Sequence, residues 1–349
     1  MNEFIGKFMS DAASTMNILL IYVGYRVGLF RAMSEAGHSL TSEELASISG
    51  TNPRMVKEWL ASQAANGIVE YDPGAKKFSL PEEHAMVLVN ENSPAFLMGG
   101  PKSAVSFYQD EEKIETAMKT GKGLGWGDHN SIFYESQVEL TKPIYINNLV
   151  QSWIPALDGV EEKLKRGGAK VAEIGFGGGY ALIQMAKSYP NSSFMGYDFH
   201  RPSVERARRL AESQGVSTNL RFEVGDSAEY PYDDYDLIAF LGCLHDMKDP
   251  GKALSRAYDS LKKKNGTLML AEASASTNLE ENFTPMGKLL YSVSTVECVP
   301  ASLNENGIAL GLLSGESNLK ELVSSVGFTT FRRVVETPLM NIYEAKATS

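Results

Sequence analysis

This chain of 349 residues has few cysteines and no excess of basic residues. The first observation argues against a disulfide-rich protein and the second against a nucleic-acid-binding protein. The two cysteines, Cys243 and Cys298, cannot build a disulfide framework and show no metal-ligand spacing, which predicts a reducing, intracellular setting. Basic side chains number 33 against 43 acidic ones, and the formal charge of −10 argues against bulk nucleic-acid binding. We therefore expect neither a metal site nor a nucleic-acid partner.

Long apolar runs are also missing. A bilayer span needs about 20 apolar residues, whereas the run ILLIYVGYRVGLF at 18–30 has 13 residues and includes Arg26. This run predicts a core or dimer helix rather than a membrane helix. The N-terminus carries acidic residues early and lacks the basic region of a signal peptide. These patterns predict a cytoplasmic protein without a membrane partner.

What is present is an ordinary globular composition, 43% hydrophobic and 22% charged, on a chain long enough for two domains. Residues 1–95 contain successive helix signals, including a capping box from Thr41 to Glu44 and the start Asn52-Pro53. Two short strand-like segments then flank the turn Pro73-Gly74. Helices followed by a hairpin resemble a winged helix-turn-helix domain.

The charge of this first domain bears on whether it reads DNA. Between Thr41 and Leu80 four basic residues stand against five acidic ones, and the presumed recognition helix contributes only Arg54 and Lys57. A DNA-reading face is expected to be basic. The sequence therefore favours a dimerisation or lid role for residues 1–95, and the apolar N-terminal helices predict a homodimer.

Residues 96–165 have the pattern of a helical connector rich in aromatic residues. The segment GLGWGDHN at 123–130 is typical of a loop. Its Trp126, Asp128 and His129 are candidates for the roof of a substrate pocket, with core packing as the alternative role.

Strands alternate with helices from about residue 166 to the end of the chain. Strand patterns lie at 169–174, 192–197, 220–225, 235–241 and 266–272, and helix patterns at 179–189, 202–214 and 250–263. A helix at 316–326 and two strands around Thr337-Pro338 close the chain. The predicted fold class is α/β, with a Rossmann-like, mostly parallel sheet in 166–349 and an N-terminal helical, winged-helix domain.

The first strand runs into a glycine-rich turn, VAEIGFGGGY at 171–180. The dinucleotide fingerprint G-x-G-x-x-G fails here, which argues against a nicotinamide oxidoreductase. Glu173 precedes the glycines Gly175, Gly177 and Gly179, and this pattern resembles motif I of class I S-adenosylmethionine-dependent methyltransferases. The resemblance implies S-adenosyl-L-methionine as cofactor and S-adenosyl-L-homocysteine as product.

Acidic residues follow the next two predicted strands. Asp198 ends the second strand and is expected to accept hydrogen bonds from a ribose diol, with capping of the helix that begins near Pro202 as the alternative role. Asp226, with Ser227 beside it, follows the third strand and resembles the position that contacts the adenine amino group. A turn aspartate is the alternative for Asp226, and Asp236 at the start of the fourth strand is expected to be structural.

His245 follows the fourth strand in the segment CLHDMKDP, at the sheet edge where ligands bind. This segment resembles the H-D-x-x-D loop of O-methyltransferases, in which the histidine deprotonates the acceptor hydroxyl. The resemblance implies that His245 is the general base and that Glu272, after the fifth strand, orients it. An insert at 281–307 supplies Tyr291, Glu297 and Cys298 as acceptor-pocket candidates.

Further segments resemble a group of uncharacterised bacterial winged-helix methyltransferases over nearly the whole chain, among them LHDMKDP and ALGLLSGE. Phe176 and Gly242 depart from that group's pattern. The predicted function is methyl transfer from S-adenosylmethionine to a small-molecule acceptor, with a hydroxyl favoured. The alternative is a winged-helix transcriptional regulator whose Rossmann domain senses S-adenosylmethionine.

Overall fold

The computed structural model describes residues 1–347, which divide into two compact units. Within the described residues, one unit comprises residues 1–109 and 130–143, and the other comprises residues 110–129 and 144–347. The predicted connector, 96–165, therefore contributes to both units.

The N-terminal elements are mostly helical. They are α1 (Asn2–Arg26), α2 (Leu29–Ala36), α3 (Ser42–Ser49), α4 (Pro53–Ala65), β1 (Glu70–Asp72), β2 (Lys77–Ser79), α5 (Glu82–Leu88), α6 (Gly99–Gln109), α7 (Glu111–Thr120) and α8 (Ser131–Asn148).

The remaining elements alternate between strands and helices. They are α9 (Ile154–Ala156), α10 (Val160–Arg166), β3 (Lys170–Ile174), α11 (Tyr180–Ser188), β4 (Ser193–Asp198), α12 (Arg201–Ser213), β5 (Leu220–Val224), β6 (Leu237–Leu241), α13 (Pro250–Leu261), β7 (Thr267–Ala273), α14 (Pro285–Val296), α15 (Cys298–Asn304), α16 (Glu316–Ser325), β8 (Thr330–Glu336) and β9 (Met340–Lys346).

The first unit has the helix and hairpin order of a winged helix. Thr41 and Glu44 form the predicted capping box at the start of α3, and Asn52 caps α4 ahead of Pro53. Trp59 of α4 packs edge-on against Phe30, with ring centroids 4.9 Å apart. Among residues 1–347 no single helix is long and apolar enough to cross a membrane, although α1 and α2, bent by 64°, reach that length and composition together.

The second unit is built on a sheet of seven strands in the order β5-β4-β3-β6-β7-β9-β8. The first five strands in that order are parallel, and β9 pairs antiparallel with both β7 and β8. The strand order reverses between β3 and β6, and ligands of open α/β sheets bind at the carboxyl ends of the strands beside such a point. The predicted α/β, Rossmann-like fold is confirmed, with strand limits within one or two residues of those expected.

Apolar side chains cover both faces of this sheet. One cluster includes Val171, Leu182 and Phe222, and the other includes Ile174, Phe240 and Leu254. Strands β6 and β7 are buried along their whole length, as expected when helices lie on both sides of a parallel sheet. This rigid core fixes the strand ends from which the candidate site is built.

Candidate active site

The turn after β3 presents bare backbone at the carboxyl edge of the sheet. Gly177 has φ +53, and a Cβ built on it would meet no atom within 4 Å, so this residue borders open space. Gly179 has φ +74 and lies against the Phe222 ring, where a Cβ would come within 2.8 Å. The first glycine leaves room for a ligand and the second allows α11 to pack on the sheet.

Asp198, at the end of β4, is tied to this turn. Its Oδ2 atom accepts a hydrogen bond from the Gly177 N–H at 2.9 Å, and its Oδ1 atom accepts one from the His200 N–H at 2.9 Å. Each carboxylate oxygen has a second lone pair, so both can still accept from a diol. The predicted ribose-binding acid therefore lies beside the predicted glycine turn.

Glu173 lies at the end of β3, with 1% of its surface exposed. Burial, with the neighbouring Asp198 charge, raises the pKa of Glu173 to about 8, and burial raises the pKa of Asp198 to about 6. The Oε2 atom of Glu173 has no hydrogen-bond partner within residues 1–347. Two buried acids with raised pKa values are suited to a site that receives positive charge.

Asp226 and Ser227 follow β5 at the same edge. Asp226 is exposed, and its Oδ1 atom accepts a hydrogen bond from the Ala228 N–H at 2.7 Å within the turn. The turn role considered for Asp226 is thus present in the structure. Its predicted contact with adenine stays a prediction.

His245 lies in a short 3₁₀ turn, Leu244–Asp246, directly after β6. Its Nδ1 atom is 2.5 Å from Oε2 of Glu272, and Oε1 of Glu272 accepts a hydrogen bond from the Leu244 N–H at 3.2 Å. Glu272 therefore fixes both the imidazole and the backbone that carries it. The pair that the sequence predicted is brought together by neighbouring strands β6 and β7.

Acidic side chains surround the other side of the ring. The Nε2 atom of His245 is 3.2 Å from Oδ1 of Asp246, a contact that sequence reasoning missed although the residue is adjacent. Burial alone would lower the pKa of His245, but the charges of Asp246 and Glu272 outweigh it and raise that pKa to about 10. Burial, with the charge of Asp246, raises the pKa of Glu297 to about 8.

The thiol of Cys298 completes this cluster, because burial and the nearby Asp246 raise its pKa and keep it neutral. The donor atoms of His245, Asp246 and Cys298 lie within 4.8 Å of one another, close enough for a metal ion. We assign no metal, because Glu272 already holds Nδ1 of His245 and the Asp246 carboxylate lies 3.2 Å from Nε2.

The remaining acceptor-pocket candidates lie in different surroundings. Glu297 lies close enough to His245 for the two charges to interact, and the Tyr291 hydroxyl accepts a hydrogen bond from the Asn282 amide at 3.3 Å. His129 is buried, with its Nδ1 atom 3.0 Å from Oδ2 of Asp110. Trp126 packs edge-on against the His200 ring, with ring centroids 5.1 Å apart. Trp126 thus contacts a residue that follows Asp198 by two positions.

Asp236 has the structural role expected of it. Its carboxylate accepts a hydrogen bond from the Lys170 N–H at 2.8 Å, and it forms ion pairs with Lys163 and Lys264. These contacts join the start of β6 to the start of β3, at the edge of the sheet opposite the site.

Comparisons with known proteins agree with this arrangement. Residues 14–90 match the Rv2258c-like winged HTH domain, and residues 165–320 match a methyltransferase domain. A 59-residue stretch is 46% identical to a tRNA (guanine-N(7)-)-methyltransferase of Aliivibrio fischeri. That stretch spans 17% of this chain and only 24% of the Aliivibrio protein.

Solved structures share the whole fold at low sequence identity. A candidate O-methyltransferase from Nostoc punctiforme is 18% identical, with 98% of both chains covered and a TM-score of 0.75. Human N-acetylserotonin methyltransferase, solved with S-adenosylmethionine, is 16% identical, with 99% of this chain and 98% of the human chain covered and a TM-score of 0.70. The two matched domains identify the chain as a methyltransferase with an N-terminal winged-helix domain, and the solved structures share its fold.

Proposed function

We propose that this enzyme methylates a hydroxyl group of a small-molecule acceptor and that His245 is the general base. The single observation that carries this proposal is the 2.5 Å contact between His245 Nδ1 and Glu272 Oε2 at the carboxyl edge of the sheet. A histidine held in one orientation beside the cofactor site is suited to accept a proton. The names of two structural neighbours, a mitomycin 7-O-methyltransferase and the N-acetylserotonin methyltransferase, support a small acceptor.

The cofactor would be held by Glu173, the glycines Gly175, Gly177 and Gly179, and Asp198, with Asp226 and Ser227 near the adenine. When bound, S-adenosylmethionine supplies a methyl group on a positively charged sulfur. The free Oε2 atom of Glu173 and the open space at Gly177 fit such a ligand. A cation beside Glu173 and Asp198 would favour their charged forms and lower their pKa values.

The proton path follows from the contacts of His245. Glu272 holds the Nδ1–H group, so the neutral ring presents Nε2 as the atom that accepts the acceptor's hydroxyl proton. A pKa of about 10 leaves most of the ring protonated at neutral pH in the unliganded protein. Positive charge placed nearby lowers this pKa, so a loaded site holds more of the neutral base. Asp246 must also leave Nε2 before a hydroxyl can reach it.

Glu297 and Tyr291 would line the acceptor side of the site. Glu297 is 7% exposed at the junction of α14 and α15, and its pKa of about 8 allows a protonated carboxyl group that donates a hydrogen bond. Helix α15 is fixed against the histidine loop by a hydrogen bond from Ser302 Oγ to the Met247 carbonyl at 3.0 Å. The identity of the acceptor is set by this side of the site.

The winged-helix domain would serve association with a second copy rather than DNA reading, in a cytoplasmic enzyme. Helix α1 exposes a series of apolar side chains, namely Phe4, Ile5, Phe8, Met9, Met16, Leu19 and Val23. In helix α4, Arg54 forms an ion pair with Glu58 at 2.6 Å, which reduces the positive charge available to phosphates. Fluorescence anisotropy with a random DNA duplex tests this, because salt-sensitive binding would favour the regulator.

The test of the main proposal uses the full chain. Calorimetry with S-adenosylhomocysteine should give saturable binding, and tritium from labelled S-adenosylmethionine should pass to members of a panel of phenols and alcohols. Mass spectrometry of the product then shows which atom of the acceptor carries the new methyl group. Binding without transfer to any member, combined with duplex binding, would support the regulator instead.

A further inference from the structure

A segment that precedes the sheet in the chain, residues 110–129, belongs to the methyltransferase unit. Its last part, 121–129, is fixed to α15. The Leu124 N–H donates a hydrogen bond to the Pro300 carbonyl at 3.0 Å. Gly123 has φ +74, and a Cβ there would overlap the backbone of Pro300 and Asn304, so only glycine allows this close approach.

A cluster of polar side chains around the buried Asp110 holds the ends of the segment together. The Asp110 side chain is 1% exposed. Its Oδ2 atom is 3.0 Å from Nδ1 of His129, and its Oδ1 atom is 2.8 Å from Nζ of Lys113. Lys113 Nζ also donates a hydrogen bond to the Asp128 carbonyl at 2.7 Å. The loop 121–129 is therefore fixed at its start by Gly123 and Leu124 and at its end by Asp128 and His129, and this holds Trp126 in position.

Trp126 lies between these two fixed ends, in the short 3₁₀ turn Trp126–Asp128. Its indole is at 67° to the His200 ring, and a Cβ on Gly127 would lie 3.4 Å from the same ring. The His200 N–H donates a hydrogen bond to Oδ1 of Asp198, and the His200 Nδ1 atom is 2.7 Å from Ser203 Oγ. The contacts thus run from Trp126 through His200 to the acid predicted to bind ribose.

We propose that Trp126 is a cofactor-binding residue whose indole contacts the adenosine part of S-adenosylmethionine. The inference rests on the proposed cofactor site at Asp198. The sequence placed Trp126 in the acceptor pocket, but its aromatic partner is His200, two residues after Asp198. The indole is half-buried, so it retains surface that a purine could cover. An aromatic face attracts a purine by stacking and excludes water from the ribose contacts.

Intrinsic fluorescence gives a direct readout, because the chain has only three tryptophans. Trp59 lies in the winged-helix unit at 6% exposure, and Trp153 is 1% exposed in a core cluster. We expect S-adenosylhomocysteine to change the emission of the wild-type protein. The Trp126→Phe variant should lose most of that change, whereas the matched Trp59→Phe variant should keep it.

Ligand fragments separate the adenosine end from the amino-acid end. 5′-Methylthioadenosine should reproduce the emission change, and L-methionine should not. Calorimetry should show that Trp126→Ala raises the Kd for S-adenosylhomocysteine about tenfold. Circular dichroism and thermal unfolding check that both Trp126 variants remain folded.

Two results would overturn the proposal without touching the proposed function. One is wild-type binding by calorimetry with an emission change that Trp126→Phe retains. The other is a Kd for Trp126→Ala within about twofold of the wild-type value. If the wild-type protein gives no binding heat with S-adenosylhomocysteine, the cofactor site itself is wrong and both proposals are overturned.

Discussion

The carboxylate of Asp246 lies 3.2 Å from Nε2 of His245, on the opposite side of the ring from Glu272. The imidazole is thus held between two acids, and in the unliganded protein its cationic form is the stable one. The histidine becomes a base only when its surroundings change. The reaction that we propose therefore depends on whether Nε2 of His245 is deprotonated and whether the acceptor hydroxyl can reach it.

Replacing His245 with alanine should separate binding from chemistry. We expect turnover to fall by about 10²–10⁴-fold, because general-base catalysis contributes about that much. The Kd for S-adenosylhomocysteine should stay within about twofold, since the residues proposed to bind the cofactor follow other strands. Initial rates of tritium transfer and calorimetry measure the two quantities. The exposed His38→Ala serves as the matched control, and a fully active His245→Ala would rule out this base.

Replacing Asp246 with asparagine should move the pH dependence of turnover. The substitution removes a negative charge next to Nε2, so the pKa of His245 falls from about 10. The rate rises with pH as the ring loses its proton, and the variant's rise should begin roughly one pH unit lower. Rate profiles between pH 6 and about 10, with the exposed Glu281→Gln as control, test this. Superimposable profiles for Asp246→Asn and the wild-type protein would contradict it.

Replacing Asp198 with alanine should weaken cofactor binding. The variant loses the expected hydrogen bonds to the ribose and the contacts that hold the Gly177 turn. Hydrogen bonds to a charged group are worth about 1.5–3 kcal/mol, so we expect a Kd about 10–100-fold higher. Calorimetry with S-adenosylhomocysteine measures it, and Asp233→Ala, an acid paired with Lys170 at the other edge, is the control. An unchanged Kd would remove Asp198 from the site.

Replacing Glu173 with glutamine should stabilise the unliganded protein at high pH. The pKa of this acid is about 8 when folded and near its ordinary value of 4.5 when unfolded. Below the ordinary value both states are protonated. As the pH rises from 4.5 to about 8, the unfolded state loses the proton first and the folded state loses stability.

Glutamine does not ionise, so the Glu173→Gln variant does not lose stability as the pH rises. Its melting temperature at pH 8.5 should exceed that of the wild-type protein by several degrees. At pH 4.5 the two melting temperatures should be similar. The same variant should bind S-adenosylmethionine more weakly, because it lacks the carboxylate that we propose faces the positively charged sulfonium or ammonium group. Scanning calorimetry at both pH values checks the first point, and a lower melting temperature at pH 8.5 would contradict it.

Local patterns in the sequence were enough to predict much of the fold and of the site. Glycine spacing, strand periodicity and helix caps are encoded within about ten residues, and they placed Glu173, Asp198 and His245 at strand ends. Parallel strands bring such ends together, so the pairing of His245 with Glu272 followed from two adjacent strands.

Contacts that depend on distant parts of the chain were not predictable. The edge contact of Trp126 with His200 joins residues 74 positions apart. The pairing of His129 with Asp110 places a polar candidate in the interior rather than in a pocket. Neither contact has a periodic pattern, because each is decided by how the 110–129 segment packs in three dimensions.

The chain passes between the two units three times, at 109/110, 129/130 and 143/144. No single cut can therefore release a whole methyltransferase unit: a fragment starting at residue 144 would lack Asp110, His129 and Trp126. A chimera that took residues 1–143 from a relative would therefore also exchange residues 110–129 of the methyltransferase unit.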